Sequence, residues 1–146
     1  MVWGNEFRHT EPVTKGILRT LVIDDNRDFV RAVCGWIECE DGMIVVGTAE
    51  DGRAGLREVE RLNPDIVLID VVMPVMDGVE ATRRIKARPD PPAVVLFTMH
   101  DAEAVRASAL SAGADAVLSK RDLGEALAPL VRSLRAGENL SGSRDS

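Results

Sequence analysis

Aromatic side chains make up only 3% of the 146 residues, so whatever core this chain buries must be aliphatic. Cysteine is scarce as well. The two present, Cys34 and Cys39, fall five positions apart within one predicted helix and point to different faces, which makes them poor disulfide partners and favours a reducing compartment. No apolar run approaches the roughly 20 residues a membrane span needs, and residues 1–16 lack the apolar middle of a signal peptide. No stretch is strongly basic and the formal net charge is −6, which argues against a domain that grips nucleic acid or an anionic membrane surface by itself. A soluble cytoplasmic protein is expected. What remains is an ordinary globular composition, 45% hydrophobic and 29% charged, in a length that favours one domain with a substantial core.

Five short apolar runs stand out, at residues 21–23, 44–46, 66–69, 94–97 and 116–118. Each is too short for a helix, and most are rich in Val and Ile, as strands buried on both faces should be. Between them apolar residues recur at helical spacing: Phe29, Val33, Trp36 and Ile37; Leu56, Val59 and Leu62; Val79, Ala81 and Ile85; Ala102, Val105, Ala109 and Ala112; and Leu123, Leu127, Leu130 and Leu134. Gly113 is placed to close the fourth helix, and Pro129 inside the fifth predicts a kink or a late start. The implied order is βαβαβαβαβα. Right-handed crossovers then give an α/β fold, a doubly wound five-stranded parallel sheet with helices on both faces. Residues 1–16 and 137–146 are polar and aperiodic and read as tails flanking a domain at 17–136.

In such a fold the functional crevice lies outside the carboxyl ends of the strands. The residues that follow the runs there are Asp24 and Asp25, Asp70, Thr98 and, after Ser119, Lys120. Any one acidic residue after a strand is usually a helix cap or a solvated loop; the joint pattern is harder to dismiss. Two carboxylates about 4–5 Å apart repel by roughly 3–4 kcal/mol at an effective dielectric of 20, so a cation is required. Mg²⁺, which binds through one or two carboxylates and keeps several waters, would together with Lys120 neutralise all three. Such a site is prepared for a phosphoryl group. Asp70, ending the central strand, is the best nucleophile; Asp24 and Asp25 would hold the metal, and Thr98 and Lys120 would meet the phosphoryl oxygens.

These residues also carry a resemblance. The acidic pair in Asp24-Asp25-Asn26, the segment from Ile69-Asp70-Val71-Val72-Met73-Pro74 to Val75-Met76-Asp77-Gly78, Thr98 after Val-Val-Leu-Phe, and Lys120 after Ala-Gly-Ala-Asp-Ala-Val-Leu-Ser resemble the receiver domain of bacterial two-component response regulators, over about four fifths of the chain. The implied fold is flavodoxin-like, (βα)5. The resemblance implies that Asp70 accepts a phosphoryl group from a sensor histidine kinase or phosphotransfer protein. It further implies that Asp25, Asp70 and the backbone carbonyl of Val72 ligate Mg²⁺ while Asp24 acts mainly through metal-bound water, and that Thr98 and Lys120 bind the phosphoryl oxygens. Phosphorylation would then switch a surface made by the fourth helix, fifth strand and fifth helix, or by the first and fifth helices, toward a partner or a second copy in a homodimer. Phe97 through Asp101 and the Lys120-Arg121 pair look most like the receivers of LuxR-type transcriptional regulators. The ten residues after the last helix cannot form a DNA-binding domain, so the chain reads as a stand-alone receiver or one ending in a linker.

Two positions depart from the family pattern. Val117 stands where many receivers carry a Tyr or Phe that turns inward on activation, and Arg121 follows the lysine where proline is common. Val117 leaves room for a pseudo-receiver, an interaction module that works without phosphorylation. An aspartyl-nucleophile phosphatase would need a second aspartate where Val72 stands, and a flavin site would need a phosphate cradle where the first loop offers carboxylates. By resemblance His100 is a gatekeeper tuning water access to the phosphorylated aspartate; by position alone it is a half-exposed helix-start residue. Met73 and Met76 are expected to pack, Asp77 to cap a helix with Gly78 supplying a tight turn, and Trp36 to lie in the core. Trp3, Phe7 and His9 fall in the first tail.

Overall fold

The computed structural model describes residues 16–99 and 101–136. His100, Trp3, Phe7 and His9, and nearly all of both expected tails, lie outside the described residues.

Five strands form one parallel sheet in the order β2-β1-β3-β4-β5: β1 Leu18–Ile23, β2 Met43–Ala49, β3 Ile66–Asp70, β4 Ala93–Thr98 and β5 Ala116–Ser119. The helices α1 Arg27–Glu38, α2 Gly52–Leu62, α3 Gly78–Lys86, α4 Ala102–Ser111 and α5 Leu123–Arg135 alternate with them. Strand pleating sorts the aliphatic side chains into two cores. Leu21, Ile23, Val67, Ile69, Val94 and Leu96 pack toward Val59 of α2, Ala81 and Ile85 of α3, and Ala109 of α4. Their neighbours Val22, Ile66, Leu68, Val95 and Phe97 face Val33 and Ile37 of α1 and Leu123, Leu127 and Leu130 of α5. The doubly wound architecture expected from periodicity is therefore present.

Helix starts show why a single acidic residue after a strand carries little information. Asn26 caps α1, Asp51 caps α2, Asp77 caps α3 and Asp101 caps α4, each side chain accepting a hydrogen bond from a backbone N–H of the first turn at 2.8–3.0 Å. Gly113 closes α4 as expected. It sits at φ +102°, donates to the carbonyl of Leu110, and lets Ala114 reach back to Ala109 at 3.0 Å.

Four expectations need correction. β2 is not buried on both faces: it is one of the two edge strands, and Ile44 is 44% exposed there. Trp36 is not core. With Val33 and Ile37 turned onto the sheet, Trp36 lies about 100° round the helix, 38% exposed, with its ring over Gly124 of α5 and edge-on to Phe29. Of the two outcomes expected from Pro129, the late start is not seen: a 3₁₀ turn at Lys120–Asp122 leads into α5 at Leu123, and the helix continues through an exposed Pro129. The carbonyl freed by the missing N–H is that of Glu125, an exposed residue. Gly78 is the first residue of α3 and has no positive φ; its requirement is for space, treated below. Met73 and Met76 do pack, at 8% exposure each, and both cysteines are free.

The loop between β3 and α3 holds one strained residue. Val75 adopts φ +72°, and Met76 donates to the carbonyl of Pro74 at 2.7 Å, a three-residue turn that a β-branched side chain resists. Its side chain is 69% exposed and gains little by packing. Val75→Gly is expected to stabilise the domain by about 0.5–1 kcal/mol, since relief of strain outweighs the added freedom of the unfolded chain. Urea unfolding would show this as a raised midpoint at unchanged slope; an unchanged or lowered midpoint would mean the turn is not strained.

Candidate functional site: an acidic rim with a seated lysine

Because all five strands run parallel, their carboxyl ends share one rim, and the chain places its unusual side chains there. Asp24 and Asp25 lie in the turn after β1, Asp70 ends β3, Thr98 ends β4, and Lys120 opens the 3₁₀ turn after β5. Asp24, Asp70, Thr98 and Lys120 are buried, at 1%, 6%, 1% and 6% exposure, while Asp25 is exposed. One carboxylate oxygen from each of Asp24, Asp25 and Asp70 falls within 4.8 Å of the others. Asp25, Asn26, Asp70, Val72, Thr98, Met99 and Lys120 line an open cavity of about 430 Å³. The five polar side chains singled out from the strand ends are thus brought to one place.

Lys120 offsets part of the negative charge. Its Nζ lies 2.8 Å from Asp24 Oδ2 and 3.4 Å from Asp70 Oδ2. It also sits 4.4 Å from the ring centre of Phe29 and 5.6 Å from that of Phe97, whose faces favour a desolvated cation. The Asp24 carboxylate accepts from the backbone N–H of Asn26 at 2.9 Å through Oδ1. Oδ2 is paired with Lys120 by charge, but it has no hydrogen-bond donor aligned on it, an uncommon state for a buried carboxylate oxygen. Asp70 is pushed up to about 6 from 3.8, first by burial and then by the charge of Asp24; Lys120 and the backbone N–H of Val72 pull the other way. One ammonium against three carboxylates leaves the rim short of positive charge. An all-carboxylate donor set with one carboxylate oxygen from each aspartate within 4.8 Å of the others fits a hard divalent cation.

Several contacts were out of reach of the sequence. Phe29 belongs to a helix stripe and Phe97 to a strand run, and nothing local tells that both rings approach Lys120. Asn26 supplies a cap and an N–H to Asp24 at once. Val117 is 3% exposed and packed in the core that includes Ala109 and Ala114, away from the cavity lining.

The response regulator receiver domain family matches residues 20–131. The chain belongs to that family. It is 34% identical over 123 residues to the transcriptional regulatory protein LiaR of Bacillus subtilis, covering 84% of this chain and 58% of LiaR. It is 43% identical over 105 residues to protein-glutamate methylesterase/protein-glutamine glutaminase 2 of Methanosarcina acetivorans, covering 70% of this chain and 29% of that protein. Among solved structures, a two-component response regulator of the LuxR family from Aurantimonas sp. superposes with TM-score 0.73 at 26% identity, over 90% of this chain and all of that one. This receiver domain of two-component systems is therefore related to those of LuxR-type regulators, and it spans about three fifths or less of the curated relatives it matches. Among the described residues no helix is long and apolar enough to cross a membrane.

Proposed function

We propose that Asp70 is the phosphoacceptor of this receiver, taking a phosphoryl group from a phosphohistidine on a sensor histidine kinase or phosphotransfer protein. The observation that carries this reading is the seat of Lys120 Nζ between Asp24 and Asp70, at 2.8 and 3.4 Å, on the rim where Thr98 ends its strand. An Asp70 carboxylate oxygen attacks phosphorus. The P–N bond of the donor breaks, and its electron pair leaves with the imidazole. Lys120 and Thr98 bind the phosphoryl oxygens as the charge on them redistributes. Asp25, Asp70 and the carbonyl of Val72 would hold Mg²⁺, with Asp24 acting through metal-bound water. When bound, the ion supplies the positive charge that the three carboxylates and an incoming phosphoryl group lack.

The transfer adds about −1.5 to −2 charges at Asp70 and draws Thr98 and Lys120 toward them. Movement reaches the surface of α4, β5 and α5, or that of α1 and α5, for a partner or a second copy. With Val117 in place of an aromatic residue, no ring reorients in that response. The receiver unit is taken as 17–136 with 1–16 and 137–146 as tail and tail or linker, cytoplasmic, and not itself a binder of nucleic acid. It acts as a switch that assists only its own phosphorylation and dephosphorylation, not as an enzyme on an external substrate. His100 is assigned to tune water access to the phosphorylated aspartate.

Acetyl phosphate with Mg²⁺ is expected to add about 80 Da to the intact protein and nothing to Asp70→Ala. An equal gain on both proteins, or none on either, would sink the assignment of Asp70.

A further inference from the structure

Helices α2 and α3, with Met76 of the β3–α3 loop, line an open groove of about 380 Å³. Its walls carry Arg53 and Arg57 from α2 and Arg84 and Arg88 from α3 and the turn after it; its apolar lining is Leu56 and buried Met76. Four guanidiniums against the single carboxylate of Glu60 make this a concentration of positive charge on a chain whose net charge is −6.

That charge does not serve the fold. Arg84 alone has an intramolecular carboxylate, Glu80 at 2.8 Å, which it shares with Arg83. Among the described residues the guanidiniums of Arg53, Arg57 and Arg88 make no hydrogen bond or close ion pair, although the charge of Arg57 acts on Glu58 beside it. Arg53 lies in the first turn of α2, where no acidic residue accompanies it and the helix dipole disfavours a cation. Arg53 and Arg57, four apart on one helix, also repel each other. Positive charge held against local preference around an apolar floor is complementary to an acidic segment that carries an apolar side chain.

We propose that this groove docks an acidic, partly apolar segment of a partner protein. A protein segment fits better than nucleic acid. Leu56 and Met76 call for an apolar side chain, and the groove lining has no aromatic ring on which a base could stack.

The test is fluorescence anisotropy of a fluorescein-labelled (Glu-Leu-Glu-Glu)3 peptide with the full chain, beside a (Lys-Leu-Lys-Lys)3 peptide and a single-stranded oligothymidylate. The acidic peptide is expected to bind, to weaken as salt is raised, and to bind at least about tenfold more weakly to Arg53→Glu/Arg88→Glu. That variant should still gain the acetyl phosphate mass, because neither position touches the acidic rim. Leu56→Asn is expected to weaken the peptide without abolishing its salt dependence. Failure of the acidic peptide to bind at low salt, equal binding to wild type and to the charge-reversed variant, or tighter binding of the oligothymidylate would each overturn the proposal.

Discussion

Gly78→Ala is expected to destabilise the domain by about 3 kcal/mol, more than a solvent-facing glycine would justify. A Cβ on Gly78 would overlap the carbonyl oxygen of Asp70 and come within 2.8 Å of Leu96 Cδ2. The Asp70 carbonyl cannot retreat. Asp70 is paired with Phe97 in the sheet, and the N–H of Gly78 is itself bonded to the carbonyl of Val71 at 2.8 Å. Relief would require α3 to lift from the sheet, disturbing the Asp77 cap and the loop that leads back to Asp70. A suitable control is Gly35→Ala in α1, where a Cβ would meet nothing within 4 Å and helix propensity favours alanine. Urea unfolding of both variants separates the cases: similar midpoints would mean that close approach at Gly78 does not matter.

Asp70→Asn should move stability the other way, raising that of the metal-free protein at pH 7 by about 1–3 kcal/mol. The sign follows from the carboxyl group being pushed up to about 6 in the folded protein, against 3.8 as its ordinary value. Folding therefore favours the protonated form. Its contribution is fully present below pH 4 and is lost as pH rises through about 6, so at neutral pH the ionised group works against the fold. An amide of the same shape removes that charge and leaves Lys120 paired with Asp24 at 2.8 Å. In EDTA the advantage of the variant should shrink as pH falls toward 4. Adding Mg²⁺ should stabilise the wild type by mass action and the variant far less, narrowing or reversing the gap. A variant less stable than wild type in EDTA at pH 7 would refute the account of Asp70 as a strained, charge-crowded group.

The two expectations draw on different layers of information. Gly78 stands next to a capping aspartate, and its neighbours in the chain suggest a turn; the need for glycine comes from Asp70 and Leu96, which reach it only through the packing of α3 on the sheet. Asp70 could be picked out in advance, because a charged residue at the end of an aliphatic strand is a local signal. The parallel order then carries it to the same rim as Asp24, Asp25, Thr98 and Lys120.

Strand and helix positions, the caps at Asp77 and Gly113, and the gathering of charged ends at one edge were legible because each depends on residues close in the chain plus one rule of handedness. Edge exposure of Ile44, displacement of Trp36 onto Gly124, the aromatic rings beside Lys120 and the arginine groove between α2 and α3 were not. They arise where segments distant in the chain meet. Which side chains touch there is decided by packing volume and by the competition of charges for water, quantities that no periodicity in a linear string records.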